Sequence, residues 1–157
     1  MDMTMKNVVL GFLGTQLDAG KRRRWRPTLS LVAHDHFAVD RLEVLYDRRF
    51  ETLAQHNKAD IEAASPDTEV LLRNLDLNDP WDFQEVYGKL FDCARAYGYD
   101  EERERYHVHL TTGTHVAQIC WFLLTESRHV PARLIQPGPP RSEEGRPIFD
   151  IIDLDLS

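Results

Sequence analysis

Thr111-Thr112-Gly113-Thr114-His115 puts three hydroxyls, a glycine and an imidazole into consecutive positions. It lies between an alternating segment, Tyr106 to Leu110, and an apolar helical one that starts at His115. A strand turning through such a loop into a helix aims backbone N–H groups, hydroxyls and a positive helix end at one point. That is the chemistry of a phosphate site. Gly113 admits close backbone approach, and Thr114 suits the N-cap. Two readings stand on these residues: threonines that cap a buried helix, or threonines that hold an anion. His115 can donate to that anion or serve as a general acid or base. The loop is not a Walker P-loop, because Gly-Lys-Ser/Thr is missing. Gly11-Phe12-Leu13-Gly14 lacks the third glycine and the acidic residue of a dinucleotide fingerprint.

A second cluster follows the first apolar run. Gly14-Thr15-Gln16-Leu17-Asp18 leads into Lys21-Arg22-Arg23-Arg24-Trp25-Arg26. Arg22, Arg23, Arg24 and Arg26 can neutralise a phosphate, and Trp25 can stack on a base. The alternative is a solvated basic loop whose tryptophan packs onto the body. His34-Asp35-His36 and His107-Val108-His109 have the two-residue spacing of zinc ligands on a strand. No cysteine or carboxylate joins either pair at ligand spacing, so hydrogen-bonded strand histidines are expected instead of a metal. Cys93 and Cys120 sit in apolar stretches and read as reduced thiols of a cytoplasmic protein. No Gly-x-Ser-x-Gly elbow, catalytic-cysteine setting or carboxylate pair stands out, and nothing in the chain demands an enzyme.

These loops need elements to carry them. Asn7 to Leu13 is almost continuously apolar, as a strand buried on both faces is. Pro27 opens a short helix through Leu29, Leu31 and Val32. A second strand is expected over Arg41–Asp47 and a second helix from Phe50 to Ser65-Pro66. A third strand, nearer an edge, runs from Thr68 to Leu77. Phe83 to Ala94 forms a third, amphipathic helix, and Tyr106–Leu110 a fourth strand. His115–Arg128, apolar nearly all round, forms a fourth helix buried on more than one face. Strands follow at Ala132–Ile135 and Pro147–Leu156. The pattern predicts an α/β fold: a Rossmann-like open sheet of about six strands, mostly parallel, flanked by helices, with a carboxy-terminal antiparallel hairpin. Binding in such sheets lies at the carboxyl ends of the strands, where the winding reverses. If the first and fourth strands are neighbours, both loops meet there.

The 157 residues suit one domain, and the net charge is −7. Residues 1–34 hold six basic and two acidic side chains, and the remainder of the chain thirteen basic against twenty-four acidic. An acidic body argues against broad duplex binding and leaves a focused basic patch for a small polyanion. No apolar run reaches the length of a membrane span.

Several stretches resemble the amino-terminal regulatory domain of the RtcR family of transcriptional activators. They are Gly11–Thr15, Trp25–Thr28, Asp40–Asp47, Pro80–Tyr87, Thr111–Leu124 and Ile151–Ser157. The likeness spans essentially the whole chain and implies a single CARF (CRISPR-associated Rossmann fold) domain over residues 1–157. In that family an AAA+ ATPase working on sigma-54 polymerase and a helix-turn-helix follow, neither represented here. The resemblance implies a non-catalytic, cytoplasmic sensor: a homodimer that controls an RNA-repair operon without itself touching DNA. The ligand would be an RNA or tRNA fragment with a 2′,3′-cyclic phosphate end, or a cyclic oligoadenylate. The rival it leaves is a metal-independent ring nuclease. The expected ligand-binding set is Gly14, Thr15, Gln16, Arg24, Trp25, Arg26, Thr111, Thr112, Gly113, Thr114, His115 and Gln118, with no metal or cofactor. Many oligoadenylate-binding relatives carry Lys or Arg where this chain has His115, which favours an RNA end over a ring-shaped polyanion.

Overall fold

The structure, a computed structural model, describes residues 5–15, 18, 26–33, 37–138 and 148–152, the last group and residues 137–138 by backbone only. The elements are β1 (Lys6–Phe12), α1 (Pro27–Leu31), β2 (Arg41–Tyr46), α2 (Glu51–Ala64) and β3 (Glu69–Asn74). They continue with α3 (Phe83–Ala96), β4 (Glu104–His109), α4 (His115–Glu126), β5 (Ala132–Gly138) and β6 (Ile148–Ile152). The sheet order is β3-β2-β1-β4-β5-β6. The first five strands are parallel, as the strand–helix alternation predicts, and β6 runs antiparallel to β5.

The continuous apolar run of β1 has a simple cause: both of its faces are covered. Val8, Leu10 and Phe12 point into the core under α3 and α4, while Val9 and Leu13 point into the core beneath α1 and α2. At about 25 cal/mol per Å² of apolar area removed from water, such doubly covered strands dominate the stabilisation of the sheet. β3, with alternation and exposed ends, forms one edge of the sheet and β6 the other.

The second strand, expected over Arg41–Asp47, forms as β2 and carries a buried ion-pair cluster. Glu43, 1% exposed, is held by Arg41, Arg73 and the Tyr97 hydroxyl, and Arg41 reaches Glu104 at 2.6 Å. Alternation turns Arg41 and Glu43 toward α3, where the ion pairs satisfy one another out of water. One expectation needs correction: α4, expected to be buried on more than one face, is not covered along its whole apolar surface. Ile119 is 51% exposed and Leu123 40%, so the helix leaves one apolar stripe open to solvent.

No helix among the described residues is long and apolar enough to cross a membrane.

Candidate ligand-binding site

β1 and β4 are direct parallel neighbours, with Leu10 opposite Val108, and they send their chains to opposite sides of the sheet. A crevice opens where they part. A cavity of about 640 Å³ occupies it, lined by Phe12–Thr15, Tyr46, Asp47, Arg49, Phe50, Leu77–Trp81, Val86, Thr111–His115 and Ala117. The two loops singled out in the sequence do converge. A Cβ placed on Gly14 would come within 3.0 Å of Thr112 Cγ2.

Gly113 has φ +92°, and a Cβ there would lie 3.0 Å from Phe12 Cβ and 3.3 Å from Ala117 Cβ. Glycine is thus required both by the backbone and by the contact with β1. Gly113→Ala should cost about 1–3 kcal/mol, read as a lowered midpoint in denaturant unfolding. An unchanged midpoint would contradict the strained turn.

The threonines divide between the two roles the sequence left open. Thr114 is the N-cap of α4. Its hydroxyl accepts from the Ala117 N–H at 3.1 Å and donates to the Pro80 carbonyl at 3.1 Å, so both roles of the oxygen are taken by the protein. Thr112 is 2% exposed, its hydroxyl 3.4 Å from His109 Nδ1. Thr111 and His115 line the cavity, His115 as an exposed residue at the first position of α4. Helix geometry leaves the His115 and Val116 amides without an intrahelical acceptor at this end. Gln118 does not line the cavity. Its amide donates to the Gly113 carbonyl at 3.3 Å and braces the loop from behind.

The first loop departs most from expectation. The Gly14 N–H, expected to face a ligand, donates to the carboxylate of Asp18 at 2.8 Å. Asp18 is fully buried and also accepts from the Thr28 N–H at 3.0 Å and from the Thr28 hydroxyl. Burial pushes its carboxyl above the usual range, against the pull of these donors and of Arg26. Arg26 is likewise turned away from the cavity. It pairs with Asp60 at 2.9 Å, donates to Asn57 Oδ1 at 2.9 Å and donates to the Asp18 carbonyl at 3.1 Å. Its place is a brace between the first loop and α2. Gln16, Arg24 and Trp25 lie outside the described residues.

The strand histidines are core residues. His107 is 3% exposed and packs edge-on against Phe37, while His109 is 1% exposed beneath Gly11. Burial lowers His107 to about 4, helped by Arg133 and Arg105, and lowers His109 to about 3.

Sequence reasoning missed the third wall, the loop from β3 to α3. Glu85 accepts the N–H groups of Asn78 at 2.9 Å and Asp79 at 2.8 Å, and these bonds lower its carboxyl. The same loop carries Trp81, 61% exposed. A tryptophan directly after the Asn-Asp-Pro turn and before a helix cap was the available signal. Asp47, next to the cavity, is bound by Arg49, which lowers its carboxyl. The described wall therefore sets two carboxylates, Asp47 and Asp79, against the single guanidinium of Arg49, with the α4 terminus as the other positive element.

An open Rossmann-like sheet with this crevice is the fold of CARF domains. Csm6 of Enterococcus italicus, solved bound to cyclic hexa-2′-fluoro-hexa-dAMP, superposes with a TM-score of 0.66 at 16% identity, over 87% of this chain and 34% of that one. Can2 of Sulfobacillus thermosulfidooxidans, solved with cyclic tetra-adenylate, gives 0.59 at 14% identity, over 90% of this chain and 36% of that one. At such identities the likeness is one of fold. The chain itself belongs to the RtcR family, regulator of RNA terminal phosphate cyclase, which it matches over residues 5–157. It is 52% identical over 160 aligned positions to the transcriptional regulatory protein RtcR of Escherichia coli K12, covering 97% of this chain and 30% of that protein. The chain thus spans about a third of the length of that relative.

Proposed function

We propose that this chain is the ligand-sensing CARF domain of a transcriptional regulator, taken whole as one domain over residues 1–157. It binds an RNA-derived phosphate in the crevice between Gly14-Thr15 and Thr111–His115. The supporting observation is the convergence of those two loops on one cavity of about 640 Å³ at the start of α4. A single esterified phosphate fits the amides of that helix end. A wall with two carboxylates is poorly matched to several phosphates at once, which favours an RNA end carrying a 2′,3′-cyclic phosphate over a cyclic oligoadenylate. Gly113, Thr111 and His115 form the contact set, and Thr112, Thr114 and Gln118 hold the loop in shape.

Binding is shared across a homodimer in this reading. The exposed stripe of Ile119 and Leu123 continues directly from His115 at helical spacing, so pairing along α4 would bring two crevices side by side. The ligand then shifts the protomer geometry that governs an attached ATPase, by binding one arrangement better than the other. The protein is a sensor and not an enzyme, and it works inside the cell.

Native mass spectrometry of freshly purified chain should show a dimer carrying a nucleotide-sized adduct, and removing the adduct should lower the melting midpoint. A monomer without adduct, unmoved by any phosphate ligand, would overturn the proposal. Turnover of labelled cyclic tetra-adenylate, lost in His115→Ala, would instead make the domain a ring nuclease.

A further inference from the structure

We infer that Trp81 forms a stacking platform for the nucleobase of the bound ligand, on the wall of the crevice beside His115. The inference rests on the phosphate-binding role proposed above and adds to it what the rest of the ligand is. Trp81 is 61% exposed, lines the cavity, and stands edge-on to the His115 ring with centroids 6.3 Å apart. Its position is set before any ligand arrives. Asp79 accepts the Trp81 N–H at 2.9 Å, Glu85 holds the backbone of Asn78 and Asp79, and the Thr114 hydroxyl holds the Pro80 carbonyl at 3.1 Å. The last of these bonds ties the tryptophan's loop to the same residue that caps α4. The platform and the helix end are therefore one preorganised unit.

Helix capping does not account for the ring. Trp81 occupies the position before the Asp82 N-cap, where an apolar residue often packs onto the fourth residue of the helix. That fourth residue, Val86, is fully buried, yet the indole keeps most of its surface in water. A large flat apolar surface carried on a fixed backbone beside a crevice is matched by a base, whose π-face stacks without regard to sequence. Asn78 and Asp79, exposed on the same wall, supply polar groups for the edge of the base.

The test compares two probes on the full chain: adenosine 2′,3′-cyclic phosphate, and methyl β-riboside 2,3-cyclic phosphate, in which a methoxy group stands in place of the base. Calorimetric titration of the wild type should show the adenosine probe binding at least about tenfold more tightly. Trp81→Ala should bring the two within about twofold of each other, while Trp81→Phe keeps most of the preference. Neither variant should move the melting midpoint of the ligand-free chain, because the ring is exposed. A preference that survives in Trp81→Ala, or equal binding of both probes by the wild type, overturns the platform and leaves the phosphate site standing. Failure of both probes to bind the wild type overturns both.

Discussion

Asp18→Ala is expected to lower stability by about 3 kcal/mol and to abolish ligand binding at concentrations that saturate the wild type. The carboxylate is the acceptor for the Gly14 N–H, the Thr28 N–H and the Thr28 hydroxyl, all buried. Truncation leaves two amides without partners in a place water does not reach, and each orphaned donor costs about 1–3 kcal/mol. Relief of the carboxylate's own desolvation offsets part of that sum. The functional loss follows from position. Asp18 clasps the residue that begins the first loop to Thr28, the second residue of α1, so it fixes both ends of the segment holding the basic run. Asp18→Asn retains one acceptor oxygen but sets an NH2 against the donors of the other, and should lose about 1–3 kcal/mol. Urea unfolding of both variants, beside titration with adenosine 2′,3′-cyclic phosphate, measures the two effects. An Ala variant as stable as the wild type would show that the clasp does not hold the loop.

The clasp also marks where reading the sequence stops. The five parallel strands were legible because each is an apolar or alternating run of strand length separated from the next by a helical period, and β1 and β4 carry their loops to the same sheet end by topology alone. The convergence of Gly14 and Thr112 could be expected on that basis. Which polar atoms would be left over for a ligand could not. Thr114 has the same sequence whether its hydroxyl caps α4 or faces an anion, and only the 3.1 Å bonds to Ala117 and Pro80 decide. Arg26 belongs to a basic run by composition, but Asp60 and Asn57 on α2 claim it, a contact across 31 and more residues that no local pattern encodes. Buried Glu43 was hidden for the same reason, because Arg73 and Tyr97 lie 30 and 54 residues away, whereas Asp18 turns inward to the nearby Gly14 and Thr28, a loop conformation that no periodicity encodes. The exposed stripe of α4 shows the converse, since an apolar helix reads as buried whichever chain finally covers it.

His107 and His109 give the second large effect, a steep loss of stability between pH 6.5 and pH 4. Both imidazoles lie inside the fold, and the structure leaves His107 Nδ1 and His109 Nε2 without a hydrogen-bond partner. Charging either ring would strand a cation away from water, for His107 beside Arg133 and Arg105 as well, so they are held near 4 and 3. In the unfolded chain both return to about 6.5. Through that window the unfolded state binds protons that the folded state refuses, so stability is complete above pH 6.5 and falls as the pH is lowered. At pH 5 the loss amounts to about 2 kcal/mol for each histidine. Unfolding there should take up about two protons, measurable by calorimetry in buffers of different ionisation enthalpy. A His107→Gln, His109→Gln double variant should flatten the profile even if it is less stable at pH 7.5. Equal unfolding free energies at pH 7.5 and pH 5 in the wild type would mean that the rings are hydrated or already charged. Because the folded state keeps His109 neutral through this window, the ring beside the Thr112 hydroxyl leaves the floor of the ligand crevice unchanged until the chain unfolds.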